Sequence, residues 1–417
     1  MKELLINNKP YRLLLFSTIT ARFGNSITAV LLMYIIATTT NQPLYVSFVL
    51  FAQLVPMVII GLFSGTIADR FPRHSIMIFS EWFQILTVVA IIFALNHPVL
   101  LICLIFLQGV GASFYQPARS AFVSEIVDRE LLAKAIGYSQ SIYQAMAIIG
   151  PSIAGLLLLF LQPTQILLIN IFTFLASTAF IYFAAKHANI KKRTKSVTSS
   201  GESIIQSIKI GVNETFQIAP LRFLLLLIVM VMFCAGIFNA NSEVILLQEF
   251  KISSYHYGLI SAAMGVGGII GSLTGPSIIK RVKPSLFFIF ATGSLGLWMI
   301  VILPIYLYGE AFSLLFLYSW VLIIGLFNAF LNIPVSSLFL TVTPNAIRGR
   351  AVSILQMLSN LGVIIGILLG GLLSTYFGAI SITAIAGIVT IITAFSSTLM
   401  KGFKTLLGVK KSKALSN

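Results

Sequence analysis

Three ionisable side chains fall inside long apolar runs of this sequence: Arg22 in ARFGNSIT, Glu81 in FSEWFQ and Glu243 in NSEVIL. A charge carried into hydrocarbon costs several kcal/mol unless it meets a partner or a water-filled cavity, so each is a candidate for binding or proton exchange. Arg22 can hold an anionic group, act as counter-charge to a protonatable carboxyl, or close a structural ion pair. Glu243 can exchange a proton or reach to the outer interface, and Glu81 is expected to pair with Arg70, Arg73 or Arg119. Amides and aromatic groups in the same runs, Asn25, Gln53, Tyr143, Gln144, Asn239, Asn328 and Asn332, suit a cavity for an amphipathic molecule or hydrogen bonds between helices. Bond-making chemistry is not legible. The sequence has no Gly-x4-Gly-Lys-Ser/Thr phosphate loop, and His74, His97, His187 and His256 lack metal-ligand spacing. No Ser/His/Asp or Cys/His set assembles, so the reading assigns no catalytic residue, no metal and no cofactor.

The elements that position these residues are membrane helices. Hydrophobic residues make up 58% of the 417 and charged residues 9%, too few charges to cover a water-facing surface. A span needs about 20 apolar residues. Twelve fit, at 12–38, 44–68, 75–95, 98–121, 135–160 and 164–184, then 221–246, 257–279, 285–307, 312–335, 351–373 and 379–400. Cys103 and Cys234 both lie in spans, so no disulfide framework is implied. The N-terminus lacks a small-residue cleavage site and reads as a retained first span.

Of the 27 Lys and Arg residues, all but Arg22 and Lys251 are assigned to the N-terminus, the even-numbered loops and the C-terminal tail. Arg119 is counted with the loop after span 4. Cationic segments stay on the cytoplasmic side, so the expectation is a multi-pass protein of a bacterial inner membrane with both termini cytoplasmic. The net charge of +16 then reflects this bias and attraction to anionic lipid, not nucleic-acid binding. The expected organisation is a six-helix bundle over 1–185, a cytoplasmic linker over 186–220, a second bundle over 221–400 and a basic tail over 401–417. Within the linker, Ile204, Ile205, Ile208, Val212 and Phe216 fall at helical spacing and predict an amphipathic surface helix.

The halves repeat. Gly61, Gly65, Asp69, Arg70 and Arg73 are answered by Gly271, Gly275, Ile279, Lys280 and Lys283 at one constant offset. Pro117 is answered by Pro334. Such six-helix pseudo-repeats are a transporter architecture, with the substrate site near the membrane midplane.

The segment GTIADRFPRH, from Gly65 to His74, resembles the loop 2–3 signature of the major facilitator superfamily, with Pro72 and His74 departing from it. Gly137, Gly150, Pro151 and Gly155 resemble the antiporter signature of span 5. Gln108-Gly109-x-Gly111-Ala112 resembles a span 4 signature but has Ile105 where relatives carry an arginine tied to proton coupling. Pro117-Ala118-Arg119 through Glu125, and FLNIPVSSLFLTVTPNAIRGRA with Arg348 and Arg350, are similar to the branch containing bacterial macrolide-efflux proteins and the enterobactin exporter. The resemblance implies an all-α integral membrane protein of twelve helices in the major facilitator fold, with the loop residues forming a conformational gate. It implies a monomeric secondary-active exporter of an amphipathic small molecule, such as a macrolide, working by proton antiport with alternating access. Dedicated export of a siderophore or other metallophore is the alternative, and a membrane-embedded lipid-modifying enzyme is the rival from another class. Spans 1 and 7 are central in that fold, which makes Glu243 the first candidate for coupling. The energy source is the proton gradient, and the partners are a small-molecule substrate and lipid.

Overall fold

The computed structural model describes residues 8–188, 215–308, 313–344 and 347–399. The linker helix expected around 204–216 and the basic tail lie almost wholly outside those residues. The side chains of residues 61–70, Gln144, Arg348 and Arg350 are likewise outside the description. The described chain forms α1 (Lys9–Thr40), α2 (Pro43–Arg70), α3 (Arg73–Ala94), α4 (Pro98–Ile126), α5 (Arg129–Phe160) and α6 (Pro163–His187). It continues with α7 (Ala219–Val244, prolonged by a π-helical turn Ile245–Glu249), α8 (Ser254–Ile279) and α9 (Pro284–Ile300 and, after one residue, Ile302–Tyr308). The last three are α10 (Ser313–Val342), α11 (Arg348–Phe377) and α12 (Ala379–Leu399). Among the described residues twelve helices are long and apolar enough to cross a membrane, which makes this a multi-pass, all-α membrane protein.

Local chemistry sets the ends. Proline opens α4, α6 and α9, where its missing N–H is one that a helix start leaves unpaired. Asn8 caps α1 by accepting from the Tyr11 N–H at 2.9 Å. Gly378, at φ 81°, separates α11 from α12, a backbone conformation that side chains with a Cβ avoid. Interior prolines do not break the spans: α4 runs through Pro117 and α10 through Pro334. Both helices therefore extend beyond the ends expected at 121 and 335.

Two compact units emerge, residues 1–197 with 246–262 and residues 198–245 with 263–417. In the first, α1 packs on α5 and α6, α2 on α4, and α3 on α4 and α6. In the second, α7 packs on α11 and α12, α8 on α10, and α9 on α10 and α12. The same helix pairs recur six helices later, so the repeat in the sequence is a repeat of packing. One end of the first unit is closed by an apolar cluster that includes Tyr11, Leu14, Met77, Phe122 and Ile181. There the Tyr11 hydroxyl donates to the Ala135 carbonyl at 2.8 Å, tying α1 to α5.

Candidate functional site

Helical spacing places Thr18, Arg22 and Asn25 along one stripe of α1. Across from them, α4 carries Tyr115, Gln116 and Arg119, and α5 carries Ser139 and Tyr143. The Arg22 Cζ lies 4.1 Å from the centre of the Tyr143 ring. Among the described residues nothing donates to, accepts from or ion-pairs with this guanidinium. A guanidinium over an aromatic face is attracted by the ring quadrupole, and the contact orients the side chain while leaving its five N–H donors unused. The Tyr143 hydroxyl in turn donates to Gln116 Oε1 at 2.8 Å, which holds the ring in place.

Arg119 stands near the same ring, with its Cζ 5.4 Å from the centroid. Its Nε donates to Thr18 Oγ1 at 2.9 Å and its Nη2 to Ser139 Oγ at 2.8 Å. Only 3% exposed, it bridges α1, α4 and α5. Its assignment to a cytoplasmic loop is therefore corrected. The helix runs five residues past the expected end at 121, to Ile126, and so carries Arg119 inside the bundle and not in the loop. The pattern Tyr115, Gln116, Arg119 at one-turn spacing was the signal that could have revealed it.

Glu81 on α3 is wholly buried. It accepts a hydrogen bond from the Ser177 hydroxyl and another, at 2.8 Å, from Thr178 on α6. The expected pairing with Arg73 or Arg119 does not form. Arg73 instead meets Glu125 at 3.3 Å and donates to the Ala121 carbonyl at 3.1 Å. Eight residues of helix, about 12 Å at 1.5 Å per residue, separate Arg73 from Glu81, and Glu81 turns to α6.

A cavity of about 120 Å³ in the first unit has Arg22 and Asn25 on one wall, Glu81 and Gln84 on another, and Tyr115 and Gln116 on a third. A neighbouring one of about 200 Å³ shares Arg22, Asn25 and Gln84 and adds Gln53, Gln108 and Thr28. Among the described residues both therefore present one cation without a hydrogen bond or ion pair, with several amides, and Glu81 backs the first without a cation of its own. The arrangement can receive an anionic or strongly polar group beside an aromatic surface. It has no nucleophile–base pair.

The remaining candidates are scattered. On α5, a Cβ at Gly150 would strike Ser26 of α1. One at Gly155 would come within 2.8 Å of the Ser254 carbonyl and 2.9 Å of the Gly258 Cα, whereas Gly137 faces open space. Two of these glycines thus permit close packing and the third does not. Glu243 is half-buried two residues before the π turn of α7, and half-buried Asn239 lends its carbonyl to Ser242. Asn332 bonds back to Asn328 along α10. Buried Asn241 accepts from Ser374 at 2.7 Å, while its Nδ2 has no hydrogen-bond partner among the described residues. The gate candidates Gly65, Asp69, Arg70, Arg348 and Arg350, with Gln144, fall outside the described side chains.

A family model described as transmembrane secretion effector matches residues 5–406. The chain is similar to the staphyloferrin A transporter of Staphylococcus aureus, 24% identical over 378 residues, 88% of this chain and 90% of that protein. It is also similar to macrolide efflux protein A of Streptococcus pyogenes, 25% identical over 255 residues, 60% of this chain and 62% of that one. Among solved structures, a bacterial homologue of the iron transporter ferroportin aligns over 92% of this chain and 98% of its own, with a TM-score of 0.72 at 15% identity. That is a likeness of fold.

Proposed function

Because the chain belongs to the transmembrane secretion effector family, a family of major facilitator transporters and not of enzymes, we propose that it exports an amphipathic small molecule by alternating access. The observation that carries this reading is Arg22, oriented by Tyr143 at the wall of an amide-lined cavity and, among the described residues, without a hydrogen-bond or ion-pair partner. A buried or half-buried cation is costly in a membrane. Its retention is explained if a polar group of the cargo completes it in one state and leaves it in another. The protein works as a monomer in the bacterial inner membrane with both termini cytoplasmic, and uses no cofactor. Inward proton flow supplies the energy. The Arg73–Glu125 pair, which ties α3 to α4, belongs to the cytoplasmic gate with Gly65, Asp69, Arg70, Arg348 and Arg350.

Arg22 also favours a second reading, export of a carboxylate-bearing metallophore, since carboxylate is the natural two-oxygen partner of a guanidinium. The deciding experiment loads everted membrane vesicles with a macrolide, erythromycin, or with a polycarboxylate siderophore, with and without an uncoupler. Uncoupler-sensitive transport of erythromycin supports drug efflux. Uncoupler-sensitive transport of the siderophore alone, abolished by Arg22→Gln, supports the metallophore reading. Accumulation unaffected by uncoupler refutes proton drive, and transport of both compounds unchanged by Arg22→Gln removes Arg22 from the binding site.

A further inference from the structure

The part of the first unit that export of cargo leaves unexplained is Glu81. Its carboxyl is completely buried in a span and meets no cation among the described residues. A permanently ionised structural carboxylate in such a place is normally matched by a cation or by several N–H donors. Here, among the described residues, both hydrogen-bond partners of the carboxyl are hydroxyls. Ser177 and Thr178 bond directly to the two carboxyl oxygens. Ser177 is also within 2.9 Å of Ser17 on α1, and Ser17 within 3.3 Å of the Tyr115 hydroxyl on α4. Tyr115 and Glu81 border the same cavity as Arg22.

Hydroxyls differ from N–H groups in one respect that matters: each is both donor and acceptor, and each can rotate. With Glu81 ionised, Ser177 and Thr178 donate to it. With Glu81 protonated, its own O–H donates to Ser177, which turns to donate to Ser17, and Ser17 to Tyr115. Every oxygen stays hydrogen-bonded in both states, and the two states differ in the bonds linking α1, α3, α4 and α6.

We propose that Glu81 is a proton-exchange site, reached from the cavity through the hydroxyls of Tyr115, Ser17 and Ser177. In the loading step a hydronium in the cavity gives one proton to the Tyr115 oxygen as Tyr115 passes its own to Ser17. Ser17 passes its proton to Ser177, and Ser177 to Glu81. Each hydroxyl breaks one O–H bond and forms one, the carboxylate gains one, and the hydronium becomes water. The other charged or titratable groups facing this site are few. From α4 come Tyr115 and Arg119, with Arg119 directed to Thr18 and Ser139. Arg22 of α1 lies across the cavity. From α6 the facing groups are the two hydroxyls, and from α2 the cavity receives Met57.

This inference rests on the proton-driven part of the export reading, but its test needs no cargo. Infrared spectra of the purified full-length protein in lipid, recorded as a function of pH, are compared for the wild type, Glu81→Gln and Ser177→Ala. The expected result is a protonated-carboxyl stretch that disappears as pH rises, is absent from Glu81→Gln, and titrates at a shifted midpoint in Ser177→Ala. Ser17→Ala should keep the band and slow its exchange with deuterium. A titrating band retained in Glu81→Gln, or no titrating carboxyl in the wild type, overturns the proposal. If Glu81→Gln does not fold, an unmoved midpoint in Ser177→Ala overturns it equally. A titrating Glu81 with uncoupler-insensitive efflux would remove proton drive and leave the site, whereas uncoupler-sensitive efflux without a titrating Glu81 would do the reverse and return attention to Glu243.

Discussion

The contact between Arg22 and Tyr143 yields the sharpest quantitative expectation. At 4.1 Å from the ring centre and half-buried at a cavity wall, a guanidinium–tyrosine pair is worth about 1–2 kcal/mol. A double-mutant cycle of Arg22→Gln and Tyr143→Leu should return a coupling energy of that size. Tyr143→Phe keeps the ring and removes only the bond to Gln116, so it should cost about 1 kcal/mol and leave the coupling to Arg22 nearly intact. The same cycle with Arg119, 5.4 Å from the ring and already bonded to Thr18 and Ser139, should give a smaller coupling. The assay is equilibrium unfolding of the purified protein in mixed micelles, titrated with a denaturing detergent and followed by intrinsic fluorescence. If the Arg22 and Tyr143 effects simply add, to within about 0.3 kcal/mol, the ring does not orient the guanidinium. The account of Arg22 as a held, unsatisfied cation then fails.

Three further expectations follow from the same geometry. Arg119→Gln removes a buried fork that serves two helices, and should lower stability by about 2–3 kcal/mol in thermal unfolding; Arg119→Lys should not restore it, because one ammonium lacks the two-pronged geometry. Gly155→Val should cost about 1–3 kcal/mol by overpacking against the Ser254–Gly258 backbone, whereas Gly137→Val, facing open space, should leave the unfolding temperature within error. Glu125→Ala should cost about 1 kcal/mol or less, since that carboxyl is partly exposed and screened by solvent, and the loss should shrink as salt is raised; a salt-independent loss would mean the pair with Arg73 is not its cause.

The twelve spans, their repeat and the class of protein were legible in the residues because the bilayer imposes a length and a composition on every crossing segment. Loop-to-loop charge bias added an expected orientation for the same reason. What the linear pattern mishandled were residues whose meaning depends on a neighbour from another helix. Arg119, at the cytoplasmic end of the span expected over 98–121, is counted as a loop cation on the charge pattern alone, and only the packing of α1, α4 and α5 brings it to Thr18 and Ser139. Glu81 is expected to meet Arg70, Arg73 or Arg119 as a matter of charge, yet the helix face it occupies turns it to Ser177 and Thr178 of α6. Ser17, Ser177 and Thr178 drew no notice, since lone hydroxyls in apolar runs are ordinary.

Arg22 was identifiable as a cation that membrane topology does not explain, because burying a charge is costly wherever it occurs. That it rests on Tyr143 and, among the described residues, keeps its donors free, while Glu81 is bonded to reversible hydroxyls on the same cavity, was decided by the packing of α1, α3, α4, α5 and α6. The cost of placing charge in lipid is written in residue types. Which groups relieve that cost, and which are left open to a cargo or a proton, depends on side chains distant in sequence meeting within about 3 Å, the reach of a hydrogen bond.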